Sequence, residues 1–191
     1  MKDEQLVRQF QQGDQSAFET LVRRYQDKVL NTCYRFLGNP DDARDAAQEI
    51  FIKVYTNLKK FKPHARFSTW LYRVAVNHAL NALRSRKRRR GILLFSALPL
   101  QESLIRIPDN TLQPDQNYAE SEQHDLVMRA IEQLGERQRS LVILHQFEGL
   151  AYKEIAEVMG MSKSAVESQL CRAKKKLLLI LKPVIEGRKS L

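Results

Sequence analysis

The sequence contains little cysteine and histidine and no long apolar segment. Cys33 and Cys171 are far apart and lack metal-binding spacing, so we expect a reducing, cytoplasmic environment and no disulfide framework. The four histidines form neither an HxxxH nor an HExxH pattern, which argues against a metal site. No run approaches the roughly 20 apolar residues needed to cross a bilayer, and the N-terminal residues lack an apolar signal core. The sequence therefore predicts no cofactor and no direct membrane insertion.

The period-two alternation of β-strands is also absent, and apolar residues recur instead at helical spacing. We predict an all-α fold with two small helical domains, residues 1–90 and 122–191, joined by a flexible linker at residues 91–121. The residues that interrupt helical periodicity in the linker are Gly91, Pro99, Pro108 and Pro114.

Charge is strongly unbalanced towards lysine and arginine. The net charge is +10, which favours a polyanionic partner. Basic residues are dense at 84–90, whereas residues 101–125 contain six carboxylates and a single arginine. Two readings of the basic run remain open, a nonspecific contact with phosphates and a disordered continuation of the preceding helix.

Residues 150–177 have the spacing of a helix-turn-helix. Gly160 ends a short first helix, and Ser162 is suited to cap the second because its hydroxyl can accept a bond from an orphan backbone N–H. The residues of the second helix that we expect to point inward are Val166, Leu170 and Ala173. The remaining face would lie in a major groove. The alternative is an ordinary helical hairpin that binds no DNA.

A helix with an acidic outward face is predicted after Asn39-Pro40, a capping residue followed by proline at the first helical position. The residues of this face, spaced by three or four, are Asp42, Asp45, Gln48 and Glu49. They could form a solvated helix start, a protein-docking face, or a Mg²⁺ site of a nuclease or phosphotransferase. The enzyme reading is disfavoured because no glycine-rich phosphate loop or paired catalytic histidine accompanies them.

Basic, aromatic and amide side chains are concentrated between residues 60 and 81. This combination suits single-stranded DNA, because cations contact the backbone and aromatic faces stack on bases. Asn77 and Asn81 are one helical turn apart and are the stronger candidates for reading base edges. Phe67 and Trp70 are each compatible with a core position or with base stacking.

Two segments together resemble a known family. DDARDAAQEIFIKVY followed by RFSTWLYRVAVNHALNALR is similar to region two of the bacterial sigma factors, and residues 130–177 resemble region four. Without a middle domain, the chain looks like an extracytoplasmic-function (ECF) sigma factor. The resemblance implies a non-enzymatic subunit that directs core RNA polymerase to promoters and helps to melt the minus-ten region. A stand-alone helix-turn-helix regulator is the alternative.

The resemblance also assigns roles to residues. It implies that the acidic face docks on the coiled coil of the polymerase beta-prime subunit. It further implies that the loop before the basic, aromatic helix holds a flipped base, at an unstacking cost of a few kcal/mol. The implied minus-ten contacts are Lys62, His64, Arg66, Phe67, Ser68, Trp70, Arg73, Asn77, Asn81 and Arg84.

The second helix of the helix-turn-helix would read the minus-thirty-five element. The implied contacts are Lys163, Ser164, Glu167, Ser168, Cys171, Arg172 and Lys175. Glu167 departs from the family, in which many relatives have a basic residue there, and a carboxylate can accept a bond from cytosine N4 but cannot bind guanine as arginine does. Family habit further implies an anti-sigma factor, soluble or membrane-bound, as a partner.

The predicted linker, which reaches on the order of 100 Å when fully extended, can bridge the two promoter elements only in a nearly extended form. About 31 residues of flexible coil span roughly 30 Å root-mean-square. The two promoter elements lie about 85 Å apart, at 3.4 Å per base pair. We therefore expect the linker to be held nearly extended on polymerase, and the free domains to collapse onto each other or onto an inhibitor.

Overall fold

All regular secondary structure in the described residues is helical. The computed structural model describes the backbone of residues 1–62, 66–96 and 117–188 and the side chains of residues 1–62, 66–88 and 125–183. The helices are α1 (Asp3–Gln11), α2 (Gln15–Leu37), α3 (Pro40–Leu58), α4 (Phe67–Ser96), α5 (Asn117–Glu132), α6 (Glu136–Val142), α7 (Tyr152–Met159) and α8 (Lys163–Arg188). A π-helical turn, Ile143–Phe147, continues α6.

The first domain, α1–α4, is organised by α2 and the helices that pack against it. Asp14 caps α2 by accepting a bond from the Ser16 amide, and Gly38 ends that helix with a left-handed φ of 69°. Asn39 then caps α3 through the amides of Asp41 and Asp42, each at 2.9 Å. The predicted stop and start between α2 and α3 are therefore confirmed.

The second domain, α5–α8, packs directly on the first. Arg139 of α6 is only 8% exposed, and its Nη2 atom donates to the carbonyl oxygens of Arg35 and Phe36 at 2.8 and 2.7 Å. These carbonyls belong to the last turn of α2, where helical partners are missing. A guanidinium from one domain thus caps a helix of the other, and the expected collapse of the two domains onto each other is what the structure shows.

Helices extend into both ends of the segment that the sequence predicts as a linker. α4 continues through Gly91 to Ser96, and α5 begins at Asn117. A single glycine lowers helix stability by about 1 kcal/mol but keeps its backbone N–H, so it does not by itself end a helix. The domain boundaries at residues 90, 91, 121 and 122 stay a prediction.

Candidate nucleic-acid and protein interfaces

The acidic face predicted on α3 is present and accessible. On the inner side of α3, Ala43, Ala46 and Ile50 are buried in the core. Because side chains three or four residues apart share one face of a helix, the opposite side presents a separate stripe to solvent. The exposed residues of that stripe are Asp42, Asp45, Gln48 and Glu49. This surface is called the acidic face below.

Basic residues of α4 adjoin the acidic face without covering it. Arg86 Nη1 lies 3.5 Å from Asp42 Oδ2, and His78 Nε2 lies 3.6 Å from Glu49 Oε2.

The other ring nitrogen of His78, Nδ1, lies 2.7 Å from Lys53 Nζ. An ammonium only donates, so Nδ1 accepts and the ring proton lies on Nε2, towards Glu49. Burial, and then Lys53, lowers the pKa of His78, which keeps the ring neutral near pH 7.

The outward side of α4 carries most of the predicted minus-ten residues. Arg66 directly precedes the helix. From there to Arg84 the predicted residues recur every three or four positions, so most of them lie along one side of α4. The exposed members are Lys62, Arg66, Arg73, Asn77, Asn81 and Arg84, and the half-buried ones are Ser68 and Trp70. His64 lies outside the described residues.

Phe67 and Trp70 occupy different environments. Phe67 is 1% exposed and packs edge-on against Tyr25, so it belongs to the core. Leu71, four residues further along α4, is also 1% exposed, so Phe67 lies on the side of the helix that faces the core. Trp70 is half-buried between Phe61 and Phe67, with ring centroids 4.9 and 6.0 Å away. Of the two aromatic candidates, only Trp70 has part of its ring at the surface.

The arginines of the α4 surface bind the second domain. Arg66 Nη1 lies 3.2 Å from Glu154 Oε1, and Arg84 Nε lies 2.9 Å from Glu136 Oε2. Arg73 donates to the backbone carbonyl of Glu157. Three cations that the sequence predicts to contact DNA are thus occupied by acceptors of α6 and α7. Sequence reasoning did not find these acceptors.

A buried carboxylate lies at the centre of the domain contact. The Glu148 side chain is 4% exposed and accepts bonds from Arg35 Nη1 at 3.1 Å and from the Tyr72 hydroxyl at 2.9 Å. Burial first, and then the charge of Glu148, raises the pKa of Tyr72, so that hydroxyl remains a donor. Arg35 also lies over the Phe147 ring, 4.7 Å from its centroid. Sequence reasoning missed this cluster, since its members are separated by up to 113 residues.

The helix-turn-helix is formed by α7 and α8, as predicted. Gly160 has a left-handed φ of 62° in the turn, and Ser162 Oγ accepts a bond from the Ala165 amide at 3.2 Å. The predicted inner residues of α8 are at most 1% exposed, namely Val166, Leu170 and Ala173. The predicted groove-facing residues are all exposed, namely Lys163, Ser164, Glu167, Ser168, Cys171, Arg172 and Lys175. Their contacts with bases stay a prediction.

The described parts of the chain hold neither a cluster of metal ligands nor a membrane-spanning helix. Within the described side chains, no three histidine, cysteine or acidic residues lie close enough to hold a metal ion. None of the described helices combines the length and apolar composition required to span a bilayer.

Comparison with known proteins identifies the family. Residues 21–89 match sigma-70 region 2, and residues 124–177 match sigma-70 region 4. The RNA polymerase sigma-H factor of Pseudomonas aeruginosa is 37% identical over 188 residues, covering 96% of each chain. The ECF RNA polymerase sigma-E factor of Escherichia coli is 36% identical over 190 residues, covering 97% of each chain.

Solved structures share the same fold. CnrH, in complex with the cytosolic domain of CnrY, has a TM-score of 0.71 at 24% identity, covering 95% of this chain and 97% of that one. The sigma factor RpoE of Bartonella quintana, in complex with the anti-sigma factor NepR, has a TM-score of 0.66 at 20% identity, covering 86% of this chain and 96% of that one. With both sigma regions matched and relatives aligned over nearly the whole chain, the protein belongs to the extracytoplasmic-function family of RNA polymerase sigma factors.

Proposed function

We propose that this chain binds core RNA polymerase, directs it to specific promoters and helps to melt the minus-ten region. The observation that carries the proposal is the set of three separate exposed surfaces, one acidic on α3, one basic and amide-rich on α4, and one on α8 of the helix-turn-helix. An acidic surface repels DNA and accepts basic protein groups. The chain supplies binding surfaces and no catalysis of its own, and it acts in the cytoplasm, where polymerase is.

The acidic face is the proposed docking site for core polymerase. Asp42, Asp45, Gln48 and Glu49 would accept bonds from basic residues of the beta-prime coiled coil. Electrostatic complementarity of this kind raises the rate of encounter and suppresses wrong partners. Asp42 and Glu49 already adjoin Arg86 and His78, so both carboxylates have neighbours that could exchange for polymerase groups.

The α4 surface is the proposed minus-ten site. Lys62, Arg66, Arg73 and Arg84 would contact phosphates, while Asn77 and Asn81 would read bases exposed by melting. Trp70 offers part of an aromatic ring for stacking, an interaction worth about 1–3 kcal/mol per base. Since Arg66, Arg73 and Arg84 contact α6 and α7 in the structure, the two domains would have to separate before this site is filled.

The exposed side of α8 is the proposed minus-thirty-five site. Its N-terminal residues would lie nearest the base edges, as in other helix-turn-helix proteins, and Lys175 would contact phosphate further along the helix. An anti-sigma factor is a proposed partner, because the Bartonella quintana relative was solved with one. Such a partner would act by keeping the polymerase- or promoter-binding surfaces covered.

Run-off transcription with purified core polymerase and a genomic promoter library tests the proposal. We expect transcripts from a discrete set of promoters only when the chain is added. A matched sample carrying Asp45→Lys and Glu49→Lys should be inactive. Binding to promoter duplex without any association with core polymerase on gel filtration would instead identify a stand-alone regulator.

A further inference from the structure

The α1 helix lies before the matched sigma-70 region 2, which begins at residue 21, yet it contacts the end of α3. The side-chain amide of Gln11, the last residue of α1, donates from Nε2 to the carbonyl oxygens of Leu58 at 3.0 Å and Phe61 at 2.8 Å. Since both partners only accept, the nitrogen side of the amide must face them. The two amide hydrogens therefore have two acceptors.

These acceptors belong to one tight turn. The carbonyls of the last helical turn lack helical partners. Here the Phe61 amide donates a hydrogen bond to the Leu58 carbonyl at 3.1 Å. Gln11 bonds the first and the last residue of that turn at once. One exposed side chain on a separate helix thus fixes the direction in which the backbone leaves α3.

The position of this turn determines how Phe61 packs against Trp70. Phe61 packs against the core, with its ring centroid 4.9 Å from that of Trp70. A shift of the Phe61 backbone would uncover the face of Trp70 that Phe61 contacts. Trp70 is the half-buried aromatic residue of the proposed minus-ten surface, and Lys62 follows Phe61 directly.

We propose that Gln11 is a positioning residue for recognition of the melted minus-ten strand. By bonding both ends of the turn at residues 58–61, it holds Phe61 against Trp70 and fixes the surface on which an exposed base would stack. The inference rests on the proposed function, since it concerns the site assigned there to single-stranded DNA. Gln11 itself touches no base.

Isosteric substitution provides the test. Gln11→Glu keeps the size of the side chain but replaces the donor by an acceptor, and Gln12→Glu makes the same charge change at the exposed neighbouring position. Gln11→Met removes the donor without adding charge. Because Trp70 is the single tryptophan, acrylamide quenching of its fluorescence in the full-length free chain reports the turn directly.

In the free chain we expect acrylamide to quench Trp70 fluorescence more strongly in both Gln11 variants than in the wild type. Quenching in Gln12→Glu should equal that of the wild type. In holoenzyme with a randomised minus-ten element, both Gln11 variants should lose discrimination between bases about threefold to tenfold. This is no more than the loss of one neutral hydrogen bond would give, because Gln11 acts through Phe61 and not on the base. Recruitment to the minus-thirty-five element should be unchanged.

Three results would overturn the inference while the wild type still opens promoters. These are unchanged quenching in the Gln11 variants, increased quenching with unchanged base preference, and an effect of Gln11→Glu that Gln11→Met does not share. A wild-type holoenzyme that opens no promoter would instead refute the proposed function and, with it, the role assigned to Gln11.

Discussion

The Nε atom of Arg84 lies 2.9 Å from Oε2 of Glu136, so a cation of the proposed promoter surface is paired with a carboxylate of the other domain. Arg66 and Glu154 repeat this relationship nearer the start of α4. Both pairs are partly exposed, and each contributes about 0–1 kcal/mol. The buried contacts, which are the Glu148 cluster and Arg139 on the carbonyls of α2, are therefore expected to contribute more to the domain contact than these pairs do.

Replacing Glu148 by Gln should loosen the contact between the domains. The change keeps one acceptor oxygen but removes the charge that Arg35 and Tyr72 bond, and a hydrogen bond to a charged group contributes about 1.5–3 kcal/mol. Small-angle scattering should show a larger radius of gyration for the free chain. Glu136→Gln, at a partly exposed pair, should have a smaller effect, and Glu19→Gln on the exposed side of α2 should have none. Equal effects of Glu148→Gln and Glu19→Gln would contradict the prediction.

Reversing charge on the acidic face should abolish binding to core polymerase. Asp45→Lys with Glu49→Lys puts cations where we propose that the partner also supplies cations, and losing such a contact costs roughly 2–5 kcal/mol. Both residues are exposed, so circular dichroism should report an intact helical fold. Glu19→Lys with Asp27→Lys makes the same charge change on α2 and serves as the control. Unchanged co-elution of the α3 variant with core polymerase would refute the assignment.

Asn77→Ala should weaken promoter opening without weakening recruitment. The side chain is exposed on α4 and would bond a base only after the strands separate. Permanganate footprinting should show reduced thymine reactivity in the minus-ten region, while binding to the upstream duplex stays the same. Asn57→Ala is the matched control, because the Asn57 amide is exposed on α3 and bonds the Lys53 carbonyl at 2.7 Å. Wild-type reactivity in Asn77→Ala would place base reading on other residues.

Glu167→Ala should relax base preference at one or two upstream positions. The carboxylate is exposed near the start of α8, and cytosine N4 is the donor it would accept from, with a discrimination of about 1–3 kcal/mol. Alternatively, Glu167 pairs with Arg172 or a nearby lysine and orients it, although the described side chains show no ion pair between Glu167 and Arg172. Selection from a randomised minus-thirty-five element separates the roles, because orientation predicts a roughly uniform loss or an altered preference only where Arg172 contacts. Identical selected motifs at full affinity would exclude Glu167 from recognition.

The two cysteines should differ sharply in reactivity. Burial raises the pKa of Cys33 to about 12, so its thiol stays protonated and unreactive well above neutral pH. Cys171 is exposed on α8. At pH 8, Ellman's reagent should label one thiol per folded chain and two in guanidinium chloride. Cys171→Ser should leave no rapidly reacting thiol, and rapid labelling of that variant would show that the first-domain core opens.

Much of the helical framework could be predicted because its determinants are local. Asn39 and Pro40 mark the start of α3 through capping chemistry that involves only the next three residues. Val166, Leu170 and Ala173 mark the inner face of α8 by spacing alone. The helix ends were less predictable, since continuation of α4 through Gly91 depends on a balance of about 1 kcal/mol that one residue type does not decide.

For the candidate site, local sequence was enough to predict which residue types share a helix face, because helical geometry repeats every 3.6 residues. The residues of the acidic face and of the groove-facing side of α8 could therefore be predicted from their spacing. Three features became visible only in the folded chain: Phe67 lies in the core, Gln11 bonds the turn after α3, and Arg139 caps α2 from the other domain. The Gln11 and Arg139 contacts join residues 47 and 104 positions apart, and no local pattern encodes such pairings. The burial of Phe67 depends on which side of α4 the core covers.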